Sequence, residues 1–187
     1  MFGISKPKKE LLPSPGRYCD LEPRSLMDRR ETLNEMLRHW QQIELRVAIY
    51  AYGEECFLIS ATTGTAEAGA PIKLQFTAAD SDLGHAIYDL LLQCYAHPKD
   101  AADGSLKNWA VFAASGAKTG KAFESKCTYV TAKTINTAIV VEAIRRSPPS
   151  DTYVGQQLSI TGAPAVLGSA VKKLVATLRL LDSQDAL

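Results

Sequence analysis

The sequence predicts an α+β fold: mainly antiparallel sheet, an N-terminal helix, and two further helices that each close a β-β-β-α unit. Three observations lead there. A strand–turn–helix stretch occurs twice, at residues 74–87 and again at 158–171, 84 positions apart without a gap. Over 74–93 and 158–177, 7 of 20 positions are identical. Around each copy, apolar and polar residues alternate at the period of half-buried strands, with connections too short for parallel crossovers. Ahead of the first strand, Leu26, Leu33, Met36, Leu37 and Trp40 recur at helical spacing. The 187 residues are expected to form a single globular domain, 1–187, with an extended lead-in at 1–23 and an internal duplication at about 43–96 and 127–181.

Taken in order, residues 1–23 carry Pro7, Pro13, Pro15 and Pro23 among lysines and read as extended chain. Ser25 and Asp28 suit a capping box that opens the N-terminal helix. Residues 42–52 alternate, with Leu45, Val47, Ile49 and Ala51 on one face, and 53–55 form a turn into a second strand at 56–60. The small residues of 61–70 read as a loop. Ile72, Leu74 and Phe76 alternate with Lys73 and Gln75 as a third strand. The first helix follows, with Leu83, Ile87, Leu90, Leu91 and Cys94 on one face. Residues 97–104 break it. In the second half, 109–113 reads as a strand and 115–121 as a turn. Strands are expected at 127–131, 138–144 and 153–160, with a loop at 145–150. The second helix should run from Pro164 to about Leu181, burying Leu167, Val171, Leu174, Val175 and Leu178. Asp80 stands where Pro164 stands in the other copy, and a carboxylate there favours the positive helix end. Gly84 and Gly168 occupy matching interior places, which suggests a close approach of each helix to another backbone.

Composition narrows the function classes. The apolar fraction is 46% and the charged fraction 22%, as in ordinary globular proteins. A net charge of +1 offers no case for nucleic-acid or membrane binding, and no apolar run is long enough to span a bilayer. Charge is unevenly placed, however: residues 47–89 carry one base against six acids. Cys19, Cys56, Cys94 and Cys127 are widely spaced, and the first residues lack an apolar run, so a cytoplasmic protein with reduced thiols is expected.

No catalytic constellation stands out, and neither cofactor, metal nor small-molecule substrate is expected. Residues 116–121 are one residue short of a phosphate loop and lack the hydroxyl after the lysine. Cys94 and His97 lack a second ligand pair for a tetrahedral metal site. His85 and Cys94 remain candidates for a small enzyme, and strand addition by an effector segment would suit a secretion chaperone.

The two stretches 79–87 and 163–171, each carrying Leu-Gly-x-Ala-[Ile/Val], resemble a family of bacterial contact-dependent growth inhibition immunity proteins. That resemblance implies a non-enzymatic cytoplasmic inhibitor that binds the C-terminal toxic domain of a partner toxin, often a nuclease, and blocks its active site. The acidic stretch fits a partner with a basic cleft. Glu54, Glu55, Asp80 and Asp82 are therefore the candidate partner-binding residues.

Overall fold

Six strands pair into one sheet in a computed structural model that describes Leu33 and residues 44–63, 66–96, 109–136, 138–145, 152–159 and 162–185. Strands β1 (Arg46–Tyr52), β2 (Cys56–Thr63) and β3 (Ala66–Gln75) lead into helix α1 (Asp80–Ala96). Two short helices follow, α2 (Ala110–Ser115) and α3 (Gly120–Glu124). Strands β4 (Cys127–Ile135), β5 (Ala138–Arg145) and β6 (Thr152–Ser159) then lead into α4 (Pro164–Asp185). Every pairing is antiparallel and the order is β3-β2-β1-β4-β5-β6. The α+β class expected from the sequence is the class observed. Two three-stranded meanders, each followed by a long helix, meet at the β1–β4 pair, where Ile49 lies opposite Val130. No described helix is long and apolar enough to cross a membrane.

Period-two alternation sorts the sheet into two unlike faces. Val47, Ile49, Phe57, Ile59, Val130, Ala132, Ile139 and Val141 point to one face and are fully buried there beneath α1 and α4. The helices contribute Leu83, Ile87, Leu90 and Leu91, and Leu167, Val171, Leu174, Val175 and Leu178, the stripes their spacing predicts. Leu33 joins this core as a helical, fully buried residue; the rest of the expected N-terminal helix lies outside the described residues, as do the lead-in 1–23, the break at 97–104 and the loop at 146–150. On the other face, Tyr52, Cys56 and Leu58 form a smaller cluster with Val111 of α2 and Phe123 of α3.

α1 and α4 touch through their first turns. A β-carbon placed on Gly84 would overlap the carbonyl oxygen of Pro164, and one on Gly168 would overlap that of Asp80. Each glycine thus admits the opening residue of the other helix. Two side chains 84 positions apart reinforce the crossing: the Tyr88 hydroxyl donates to Gly162 O at 3.2 Å, and Lys172 Nζ donates to Ala78 O at 2.5 Å.

Four expectations need correction. Of the expected loop at 61–70, residues 61–63 and 66–70 are strand: β2 continues to Thr63 and β3 starts at Ala66. β2 is an interior strand, so β1 supplies ladder partners along its length, and Thr62 Oγ1 also donates to Arg46 O at 2.8 Å. The irregularity is confined to a bulge, where Gly69, with φ +73°, and Pro71 leave the ladder. Residues 109–113 are not a strand. Trp109 is extended and caps α2, whose Ala-rich sequence favours helix and buries Val111 and Ser115 four apart. The turn at 115–121 is real but yields at its end to α3, where Thr119 Oγ1 accepts from Ala122 N at 3.1 Å. α4 also runs past Leu181 to Asp185.

Replacing Gly84 or Gly168 by alanine tests the helix contact. In an open helix this change gains roughly 1 kcal/mol. Here the new methyl meets backbone, and overpacking of this kind costs typically about 1–3 kcal/mol. The urea midpoint of either variant is expected to fall, with the slope unchanged. A midpoint at or above wild type would disprove the contact.

Candidate functional site

The β1–β2 turn and the entrance to α1 lie at one end of the sheet. Gly53 adopts φ +52°, which a side chain would strain, and its N–H donates to Lys126 O at 2.9 Å. Glu55 N–H donates to Tyr52 O at 3.2 Å and closes the turn. Phe76 N–H donates to Glu55 O at 3.1 Å, which ties the turn to the segment entering α1. Arg179, far along α4, donates to Gly53 O and to Thr128 Oγ1, and its guanidinium lies 4.8 Å from the centroid of the Phe76 ring. A cation from α4 thus holds both the turn and the approach to α1.

The four acidic residues singled out from sequence fare differently at this end. Glu54 and Glu55 are exposed on the turn. Glu55 faces Lys126 at 3.8 Å with both side chains more than half exposed, an arrangement that contributes little. Asp82 is exposed on the first turn of α1, and the Ser81 hydroxyl, at 3.5 Å, donates to it. Asp80 is partly exposed but already engaged: it pairs with Lys172 at 2.7 Å. The Lys172 hydrogen bond, with further help from its charge and from Ser169, holds the Asp80 carboxyl below the usual carboxylate range. Asp80 also lines a shallow cleft between α4 and β6 with Gln156, Ser169 and Lys173.

A fifth acid escaped the sequence reading. Glu67 of β3 lies on the other sheet face, against the small aromatic cluster. The Tyr50 hydroxyl donates to one of its oxygens, and Trp109 Nε1 donates to the other at 2.7 Å. Burial raises the Glu67 pKa, opposed by these two donors. Burial and the adjacent carboxylate also raise Tyr50. Phe123 is the hub of the surrounding rings, with Trp109 at 5.0 Å, Tyr50 at 5.6 Å and Tyr52 at 5.7 Å. Tyr129 flanks Tyr50 at 5.1 Å and is 39% exposed. The sequence did hold a hint: Glu67 is the single charge between Glu55 and Lys73. Its partner Trp109 lies 42 residues away, beyond the reach of any local pattern.

Among the described residues, neither thiol is an activated nucleophile. Cys56 and Cys127 are free thiols; burial raises Cys56 and pushes Cys127 up to about 12, away from the reactive thiolate. His85 is half-buried on α1, while His97, Cys19 and the Cys94 side chain lie outside the described residues. Among the described residues no three His, Cys, Asp or Glu side chains converge as metal ligands.

No protein-family model and no curated protein matches the sequence. Two solved structures share its fold. A Neisseria meningitidis protein of unknown function is 17% identical, with a TM-score of 0.51 over 73% of this chain and 96% of that one. A chain of a CdiA-CT/CdiI toxin and immunity complex from Yersinia pseudotuberculosis is 13% identical, with a TM-score of 0.52 over 73% and 97%.

Glu67 should leave a signature in the pH dependence of stability. Its pKa is raised on folding, so the folded chain holds that proton more tightly than the unfolded chain. Stability from this group is fully present below the ordinary glutamate pKa and is lost as pH rises through the raised value. In Glu67→Gln that term is absent. The wild-type unfolding free energy minus that of Glu67→Gln should therefore fall as pH rises from the ordinary glutamate pKa through the raised value, and then level off. A difference that rises with pH would refute the assignment.

Proposed function

We propose that this chain is an immunity-type protein: it binds a toxin domain, without catalysis of its own, and occludes that domain's active site. The observation that carries the reading is the fold shared with a chain of the Yersinia pseudotuberculosis toxin and immunity complex. The repeated Leu-Gly helices, which resemble those of contact-dependent growth inhibition immunity proteins, support it independently. The toxin would be a nuclease or another enzyme with a basic cleft, met in the cytoplasm.

The contact surface in this reading is the sheet end that carries Glu54, Glu55 and Asp82. Their carboxylates face solvent on backbone that is already hydrogen-bonded, so little ordering is left to do on binding. Asp80 serves the surface by anchoring the entrance of α1 to Lys172 rather than by display. Carboxylates toward lysines and arginines would steer association and fix the orientation.

Co-expression with the toxin domain encoded beside it should protect cells, and loss of protection would defeat the proposal as a whole. The surface is tested separately with Glu54→Lys/Glu55→Lys/Asp82→Lys, which spares Asp80 and hence the helix contact. Single exposed pairs are worth about 0–1 kcal/mol, so the three changes are combined. Association with the toxin domain should slow at least tenfold at low salt, with a weaker salt dependence. An unchanged association rate would remove these residues from the surface and leave the function itself standing.

A further inference from the structure

We infer that residues 109–126 form a hinged cover over the second face of the sheet, closed by the Trp109–Glu67 hydrogen bond and free to open as one unit while the rest of the fold stays intact. The inference concerns the molecule alone and does not depend on what the acidic turn binds.

Three features of the structure carry it. First, α2 has six residues and α3 five, far below the length at which an isolated helix persists in water. Neither can leave the sheet and remain folded, and Trp109 and Phe112 pack on Phe123 at 5.0 and 6.0 Å, which joins the two helices into one unit. Second, the attachments are segregated. At the far end, Gly53 N–H bonds Lys126 O and the chain passes directly into β4, whose Cys127 lies opposite Tyr52. That end is continuous with the sheet and acts as the pivot. Among the described residues, the entrance is held by Trp109 Nε1 on Glu67, with an exposed tie farther on, Lys73 Nζ to Ala114 O at 3.2 Å. Third, the apolar residues beneath the cover form their own cluster, separated by the sheet from the core under α1 and α4. Lifting the cover uncovers Tyr52, Cys56 and Leu58 and leaves the helix-side core closed.

The latch is polar where an apolar contact would hold more firmly. A carboxylate drawn out of water forfeits much of what its hydrogen bonds gain, so the closed state is held by a modest margin. The cover contributes two fully buried apolar side chains, Val111 and Phe123, against the many of the helix-side core, so its opening lies below the global unfolding free energy.

Cys56 reports the open state, since it is 2% exposed beneath the cover. The experiment is alkylation of the native full-length protein by iodoacetamide at fixed pH, read at the Cys56 peptide by mass. With local opening, the wild-type rate should rise with urea far less steeply than the global unfolding constant. Trp109→Phe keeps a ring and removes the donor, and should speed Cys56 alkylation roughly ten- to a hundredfold. Glu67→Gln keeps an oxygen for Trp109 and should speed it much less than Glu67→Ala. Ile87→Val lies in the helix-side core; it should lower the urea midpoint yet leave Cys56 alkylation unchanged, because closed and open forms lose the same contact. The inference is overturned if Ile87→Val accelerates alkylation by the factor its midpoint shift implies, if the wild-type urea dependence matches global unfolding, or if Trp109→Phe leaves the rate unchanged.

Discussion

The backbone contact between the first turns of α1 and α4 is the constraint on which the rest of the structure depends. Gly84 and Gly168 each forgo about 1 kcal/mol of helix propensity against alanine. In return, two helices meet closely enough for both to lie over a single sheet. The Tyr88 hydroxyl and the Lys172 ammonium, at matching positions in the two copies, each donate to the carbonyl two residues before the opposite helix. A phenol and an amine do the same work because what the site requires is a long side chain ending in a donor. Once the crossing is fixed, so is the direction of α4, and Arg179 is carried to the far end of the sheet, where it holds the β1–β2 turn.

Much of this was legible because it is periodic. Strands β1, β4, β5 and β6 announce themselves through alternation, and both long helices through stripes of leucine, isoleucine and valine. The matching glycines pointed to a close backbone approach, although each copy alone could not say that the partner was the other helix. What stayed hidden was set by non-local partners. Residues 61–70 lack large apolar side chains, so their strand character comes from β1 pairing along β2 rather than from their own composition. Trp109 begins a run whose Val and Phe suit a strand, but the alanines around them favour helix, and a helix buries Val111 and Ser115 on one face. Glu67 was illegible for the same reason: a lone carboxylate in a small-residue stretch acquires meaning from a tryptophan and a tyrosine that only the fold brings near.

The two meanders share connectivity but not surroundings. Residues 109–126, inserted between them, cover the second sheet face over β1 and β2 with aromatic side chains. Over β4 and β5 the same face is polar at Thr131, Lys133 and Glu142, with Lys133 and Glu142 paired at 2.5 Å. Gln157 of β6 is exposed beside them. Symmetry therefore covers the sheet and the two long helices, and the asymmetric addition, residues 109–126, completes the Glu67 cluster.

Charge at the acidic turn is best understood by what each carboxylate is already doing. Asp80 has a cation at 2.7 Å and is engaged in holding two helices together, so much of its field is cancelled before any partner arrives. Glu54, Glu55 and Asp82 have no such commitment of comparable strength, and their negative field extends into solvent. Arg179 sits behind the turn rather than in front of it, bonded to main-chain oxygen and stacked on Phe76. It stiffens the backbone that carries Glu54 and Glu55 while leaving their carboxylates outward. A net charge near zero is therefore compatible with exposed recognition acids: Arg179 and Lys172 are spent on architecture, while Glu54, Glu55 and Asp82 stay turned to solvent.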